Sequence, residues 1–332
     1  MYNFQKEELL KSYAIAYEQY PEIERIAEAL SKRKISEIYM LGCGGAFTKF
    51  MSVKNLLHQY LHIPVIVEDP IQFESVYMDS IHEDALVMMG TKTGTTEEIL
   101  KVAQKAKERG ISLLGFVGDQ NSPFEVFLEY KLSSVCTDVH IVVLDLLLIK
   151  YLELKGFDVD YAKFKEEMKY FGLDLVRAIE DNLEKGRAHV EMAVKKDFQL
   201  WVASGNLWGE TNCYVKYLME EVQWKLAQAV HAGEFFHGPL ELIEPDFCVN
   251  VVISHGKTRN MDERVAQFVK SYGRDYTIID MDDFKLPHVS EEYLEWVYPY
   301  VLNIFYDQIA DMYKPITKKN MGTRRYYRKV AY

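Results

Sequence analysis

Glu221 and His237 are two side chains whose types and spacing could together move protons. Histidine titrates near neutral pH and a partly buried glutamate can act as a base, so the pair suits proton shuttling. A predicted helix over residues 211–230 carries Glu221 inward. Glycines and a proline between residues 233 and 239 are expected to end that helix and to turn His237 towards a cleft. On spacing alone, the ordinary interpretation of the pair is an ion pair at a helix C-terminus.

The hydroxyl-rich loop at residues 91–96 is a second candidate site. It follows a predicted buried strand and precedes a predicted helix, the position at which α/β sheets bind ligands. Hydroxyl groups, backbone N–H groups and the positive end of a helix together favour an anion such as phosphate. The alternative is helix capping, which needs one hydroxyl and not four. The residues predicted to hold the phosphate are Thr91, Lys92, Thr93, Gly94 and Thr96.

The glycine-rich loop at residues 42–46 also joins a predicted strand to a helix. It lacks the third glycine of a dinucleotide-binding fingerprint, because Phe47 stands in that place. The loop either lets a sugar approach the backbone closely or packs a helix against a strand. Gly44, Gly45 and Ala46 are the predicted substrate contacts here.

The loop at residues 254–258, in the second half of the chain, corresponds to the hydroxyl-rich loop but has fewer hydroxyls. One phosphate site per chain is therefore expected. His255 in this loop has two interpretations of equal weight, a substrate contact or a helix cap.

Strand, glycine turn and helix alternate along the first half, and the second half repeats the plan. Residues 198–206 correspond to residues 37–45, and residues 249–258 correspond to residues 86–96. This pattern predicts an α/β fold of two tandem, doubly wound parallel-sheet domains, each a flavodoxin-like three-layer sandwich. The predicted boundaries are N-terminal helices at 1–34, a first domain at 35–155, connecting helices at 156–195, a second domain at 196–314 and a tail at 315–332.

Composition narrows the class of protein. The chain has 332 residues, enough for two domains, and a formal net charge of −11 with acidic and basic residues mixed. Nucleic acid and anionic membranes are therefore not expected as partners. No apolar run reaches the roughly 20 residues of a membrane span, and the start is charged and amphipathic, so a cytoplasmic location is expected.

The cysteines are too scattered for a disulfide framework or a zinc site, so no metal is expected. They are predicted to be core residues, and they are Cys43, Cys136, Cys213 and Cys248.

These stretches resemble the sugar isomerase (SIS) domain family over essentially the whole chain. Residues 90–97 resemble its hydroxyl-rich phosphate loop. Residues 232–241 look like a segment of its isomerase and deglycase members. Residues 258–264 and the Arg-Arg-Tyr tail at 323–332 are similar to fructosamine-6-phosphate deglycases. The glutaminase half of glucosamine-6-phosphate synthase is not expected here, because Met1 is not followed by cysteine.

The resemblance implies roles for particular residues. Glu221 matches the family's catalytic carboxylate and His237 its catalytic histidine, which comes from the neighbouring subunit in relatives. A homodimer with sites shared between subunits is thus implied, with no cofactor. Some relatives have serine at the position of Ala46. In the tail, Arg324 and Arg325 either close the site or bind a substrate carboxylate, although a basic tail is usually only solvated; Arg325 is the predicted substrate contact.

The implied activity is the cleavage of a 6-phosphorylated fructosamine, an Amadori product, by water to glucose 6-phosphate and a free amino acid. Lysine is the leading amine, on the resemblance of the tail and of residues 138–140. The alternatives are a phosphosugar aldose–ketose isomerase, a glucoselysine-6-phosphate deglycase, and a sugar-phosphate sensor without catalytic activity.

Overall fold

The computed structural model describes residues 4–119, 121–133, 140–320, 322–327 and 329–331. It divides into two compact units. The first unit comprises Lys6–Asp174 and Pro287–Tyr300. The second comprises Leu175–Leu286 with the described residues before Lys6 and after Tyr300. The predicted domain boundaries remain a prediction.

The first unit contains a five-stranded parallel sheet with the order β2-β1-β3-β4-β5. Every residue of β1, β3 and β4 is buried, as expected for parallel strands covered on both faces. Gly42 at the end of β1 pairs with Gly90 near the end of β3. The two candidate loops thus leave the sheet side by side, where the strand order reverses. The strands are β1 (Ile38–Gly42), β2 (Val65–Glu68), β3 (Leu86–Thr91), β4 (Ser112–Val117) and β5 (Tyr130–Ser133).

The helices of the first unit include the predicted helical N-terminus. Pro21 lies in the first turn of α2, where a missing N–H is tolerated. The predicted connecting helices are one helix of 33 residues, α7, which contributes to both units. The helices are α1 (Lys6–Tyr17), α2 (Tyr20–Ser31), α3 (Gly45–Tyr60), α4 (Pro70–Val76), α5 (Glu97–Glu108), α6 (His140–Leu154) and α7 (Tyr161–Ala193).

The second unit repeats the arrangement with a four-stranded parallel sheet in the order β7-β6-β8-β9. This order matches β2-β1-β3-β4 of the first unit, so β8 corresponds to β3. The strands are β6 (Phe198–Ala203), β7 (Leu226–His231), β8 (Val249–Ile253) and β9 (Tyr276–Asp280). The helices are α8 (Trp208–Cys213), a π-helix (Tyr214–Gln223), α9 (Ala232–Phe235), α10 (Arg259–Tyr272) and α11 (Glu291–Thr317), which contributes to both units.

The predicted helix over residues 211–230 is wrong in its second half. The helix ends at Gln223, because Trp224 adopts a left-handed conformation with φ 54°. The N–H of Lys225 donates to the carbonyl of Met219 at 3.0 Å and closes the helix end. The segment that follows is strand β7, in which exposed Leu226 and Gln228 flank buried Ala227. Its alanine and glutamine content favours helix, but its burial alternates with the period of a strand.

Candidate active site

The loop at residues 91–96 is held by its own threonines and by the end of β4. The N–H of Gly94 donates to Thr91 Oγ1 at 3.1 Å, and Thr91 is buried. The carbonyls of Thr91 and Lys92 accept from the backbone N–H groups of Gly118 and Asp119 at 3.1 and 2.7 Å. Since both carbonyls bond to the turn after β4, the first two residues of the loop are fixed in place.

Gly94 allows the loop to turn where another residue would not fit. Its φ is +62°, and an added Cβ would lie 2.3 Å from Ser122 Oγ and 2.5 Å from Ser122 Cβ. Both the backbone angle and the close approach therefore require glycine.

The capping explanation for the threonines is not what the structure shows. Thr96 is the N-cap residue of α5, but among the described residues its side chain makes no capping hydrogen bond. Thr93 Oγ1 and Thr95 Oγ1 bond to each other at 2.7 Å, and Lys92 is exposed. The positive end of α5 and the hydroxyls beside it thus suit an anion.

The loop at residues 42–46 approaches α3 closely. Gly44 is the N-cap residue of α3 with φ 63°, and Gly45 and Ala46 form the first turn of that helix. Gly42 has no room for a side chain, because an added Cβ would lie 2.7 Å from the N of Phe47. Close packing of helix against strand thus accounts for the glycine at position 42.

Cys43 in this loop is exposed, so the prediction that it is a core residue is wrong. Desolvation, with the nearby carboxylates Glu98 and Asp69, raises the pKa of Cys43 to about 11. The thiol stays protonated at neutral pH and is a poor nucleophile. Cys248 is buried as predicted, Cys213 is half-buried, and Cys136 lies outside the described residues.

Glu221 lies in the last turn of the π-helix, a geometry that is rare and frequent at functional sites. Its side chain is 27% exposed, and its Oε1 lies 2.5 Å from Nε of Arg324. Its carbonyl accepts a hydrogen bond from the indole Nε1 of Trp224 at 3.1 Å. Glu221 is therefore held at both its backbone carbonyl and its side-chain carboxylate. Its neighbour Glu220 is exposed.

His237 is exposed on the short segment that follows α9. The segment is held by buried Phe235 and by a bond from the N–H of His237 to the carbonyl of Glu234 at 3.0 Å. Nδ1 of His231 accepts from the N–H of Gly233 at 3.1 Å and caps α9. The backbone is thus anchored while the imidazole is presented outward.

Glu221 and His237 lie near opposite ends of strand β7. The strand start, Leu226, pairs with Phe198, and the strand end, His231, pairs with Ala203. Six residues of extended strand span about 20 Å. Strand β7 therefore separates Glu221 from His237, and their action as an acid–base pair remains a prediction.

The second-half loop at residues 254–258 is bonded to a buried carboxylate of the helix that follows it. Asp262 is fully buried in the first turn of α10. Its Oδ2 accepts from the N–H of Ser254 at 3.0 Å and from Ser254 Oγ at 2.6 Å. Burial raises the pKa of Asp262, and the hydrogen bonds from Ser254 oppose that shift. A carboxylate of α10 is thus bonded to the first residue of this loop, and one phosphate site per chain remains a prediction.

His255 belongs to a charged cluster beside that loop. Its Nδ1 lies 2.7 Å from Asp282 Oδ1, and Arg259 pairs with Asp280 at 2.7 Å and with Asp282 at 3.1 Å. These contacts hold the imidazole, and its role as a substrate contact remains a prediction.

The C-terminal tail contacts the end of the π-helix. The guanidinium of Arg325 lies 3.9 Å from the centre of the Trp224 ring, besides the ion pair of Arg324. The sequence did not predict Arg324 as the partner of Glu221, because no periodic pattern links the tail to a distant helix. Residues 138–139 and the side chain of His140 lie outside the described part of the chain.

Among the described residues, no cluster of three or more His, Cys, Asp or Glu side chains is suited to a metal. None of the helices in this part of the chain has the length and hydrophobicity that a membrane crossing needs.

Residues 30–132 match the model of the SIS domain. Fructosamine deglycase FrlB of Bacillus subtilis is 24% identical over 326 residues, covering 94% of this chain and 97% of that protein. Fructoselysine 6-phosphate deglycase of Escherichia coli is 22% identical over 312 residues, covering 92% and 90%. These matches extend over most of both chains and support an enzyme of this type.

Solved structures agree on the fold. A crystal structure from Bacillus subtilis, provisionally assigned as a phosphosugar isomerase, has a TM-score of 0.89 at 22% sequence identity. The match covers 96% of this chain and 100% of that chain. A Salmonella typhimurium structure with the same provisional assignment has a TM-score of 0.85 at 22% identity, covering 94% and 99%. The predicted fold class, tandem doubly wound parallel sheets, is confirmed.

Proposed function

We propose that this protein cleaves a 6-phosphorylated fructosamine with water to glucose 6-phosphate and a free amino acid, with fructoselysine 6-phosphate as the leading substrate. The observation that carries the proposal is the loop at residues 91–96, whose hydroxyls and helix end suit a phosphate group. The match to two deglycases over most of the chain supports the reaction class. Residues of the loop at 42–46, together with His255 and Arg325, remain proposed substrate contacts.

The chemistry needs one proton to move between neighbouring carbons. In the open-chain substrate, C1 carries the amine and C2 is a carbonyl. Glu221 removes a proton from C1 to give an enaminol, and return of that proton to C2 gives a Schiff base at C1. Water then adds to C1 and the C–N bond breaks, releasing the amine. His237 exchanges protons with the sugar oxygens during ring opening.

Glu221→Gln tests the proposed base. We expect turnover to fall by at least about 10²-fold, because general-base catalysis typically contributes that much, with substrate affinity and folding nearly unchanged. The measurement is glucose 6-phosphate release in a coupled dehydrogenase assay. The substrates are the 6-phosphorylated fructosamines of lysine and asparagine and glucoselysine 6-phosphate, and fructose 6-phosphate is assayed beside them. Glu220→Gln is the matched control, since Glu220 is the exposed neighbour.

Near-normal release by Glu221→Gln would contradict the assignment of the base. Conversion of fructose 6-phosphate without release from any adduct would favour the isomerase, and binding without turnover would favour a sensor.

We extend the proposal to a homodimer in which His237 acts on the substrate held by a second copy of the chain. The positions of Glu221 and His237 near opposite ends of β7 support this arrangement. Co-expression of Glu221→Gln and His237→Ala chains should then restore activity that neither variant has alone, since some mixed dimers contain one intact site. Mixed dimers as inactive as the two parents would count against shared sites.

A further inference from the structure

The ion pair between Glu221 and Arg324 occupies the proposed base. Arg324 Nε lies 2.5 Å from Glu221 Oε1, and the two side chains are 20% and 27% exposed. A carboxylate oxygen this close to a guanidinium is held in an ion pair and is not placed to take a proton from carbon. Arg324 must therefore change its position or its partner before this oxygen can act as a base.

The tail is attached to the same short stretch by three other residues. Thr317 Oγ1 donates to Gln223 Oε1 at 2.6 Å, and the ammonium of Lys319 donates to the Gln223 carbonyl at 2.7 Å. Arg325 lies over the Trp224 ring. These contacts hold the tail at the end of the π-helix independently of Arg324, so Arg324 can exchange its partner while the tail stays attached.

The surroundings of this contact are electrically positive. The pKa of Lys319 is lowered, first by burial and then by repulsion from Arg325 and Lys225. Lys319 also lies 4.5 Å from the centre of the Trp224 ring. A further anion near Glu221 would relieve this repulsion, and a carboxylate is the anion that a guanidinium binds with matched geometry.

We propose that Arg324 is a specificity-determining residue that binds the carboxylate of the substrate's amino-acid part and leaves Glu221 when it does so. The base is then freed by substrates that carry a carboxylate and stays paired when the amine lacks one. This inference rests on the proposed function, because it assumes that Glu221 acts on a fructosamine. It also adds a substrate class, adducts of amino acids rather than of simple amines.

The test compares two substrates that differ only in the carboxylate. One is the amino-acid adduct that the wild type cleaves fastest, and the other is made from the decarboxylated amine, which for lysine is cadaverine. We expect the wild type to prefer the amino-acid adduct by tenfold or more in kcat/KM. In Arg324→Ala, the preference should fall below about threefold, because the adduct with the carboxylate loses its partner while the adduct without one meets an unpaired Glu221.

Two further variants separate this role from a purely structural one. Arg324→Lys keeps the charge and should restore part of the preference. Lys318→Asn removes an exposed tail cation and should leave the preference unchanged, since asparagine tolerates the positive φ of 58° at this position.

An unchanged preference in Arg324→Ala, with or without an equal loss of activity on both adducts, would overturn the inference while leaving the proposed function standing. No release from either adduct by the wild type would overturn both.

Discussion

The loops that follow β3 and β8 occupy the same place in two sheets of the same strand order, yet they differ in what the helix end faces. After β3, threonine hydroxyls surround the start of α5. After β8, the buried carboxylate of Asp262 accepts two hydrogen bonds from Ser254. The first residue of the loop after β8 is thus bonded to a carboxylate of the helix that follows, whereas the loop after β3 is the one for which we propose a phosphate.

The glycines of the two loops show the same difference. Gly94 turns the first loop against Ser122. In the second unit, an added Cβ on Gly205 would lie 2.5 Å from Thr258 Oγ1, so the loops after β6 and β8 touch each other there. A helix end is a potential anion site in both copies, but the side chains around it decide whether a ligand is needed.

Gly94→Ala should have the largest effect on the first loop. The new methyl group meets Ser122 and strains a positive φ, which costs about 1–3 kcal/mol. Because 1.4 kcal/mol corresponds to a factor of ten, kcat/KM should fall by up to about 10²-fold, mainly through KM. Steady-state kinetics on the preferred adduct measures this loss.

The control is Gly110→Ala, at a glycine with φ +70° whose added Cβ has no atom within 4 Å. It carries the backbone strain without the clash and should leave KM unchanged. Equal KM values for Gly94→Ala and Gly110→Ala would mean that the loop after β3 does not hold the phosphate.

Asp262→Ala should affect stability rather than activity. Loss of the carboxylate leaves the N–H and hydroxyl of Ser254 without this acceptor, at a cost of about 1–3 kcal/mol in the free energy of unfolding. Urea unfolding measures the loss, and KM for the phosphorylated substrate should stay the same.

Glu263→Ala is the matched control for Asp262→Ala. Its side chain is 47% exposed and pairs with Arg259 at 2.8 Å, so its removal should cost less than about 1 kcal/mol. A large rise in KM for Asp262→Ala would show that the second loop also binds phosphate.

Much of the fold could be predicted because its signals are local. The apolar runs of β1 and β3 and the glycine and threonine turns after them are contiguous in sequence, and their repetition indicated two sheets. Strand β7 could not be predicted, because its alanine and glutamine residues favour helix and only pairing with β6 makes it a strand.

The sites divide in the same way. The hydroxyls of the loop at 91–96 are adjacent in sequence and could be recognised. The bond between Asp262 and Ser254 and the ion pair of Glu221 with Arg324 both depend on where the folded chain brings the two partners. Neither contact leaves a periodic trace in the sequence.

The most direct test of one phosphate site per chain is calorimetric titration with glucose 6-phosphate, the proposed product. We expect one bound molecule per chain. Thr91→Val should weaken binding severalfold, because Thr91 holds Gly94, and Ser254→Ala should leave the affinity unchanged, because Ser254 is bonded to Asp262. Two molecules bound per chain, or weaker binding in Ser254→Ala than in Thr91→Val, would contradict one phosphate site per chain.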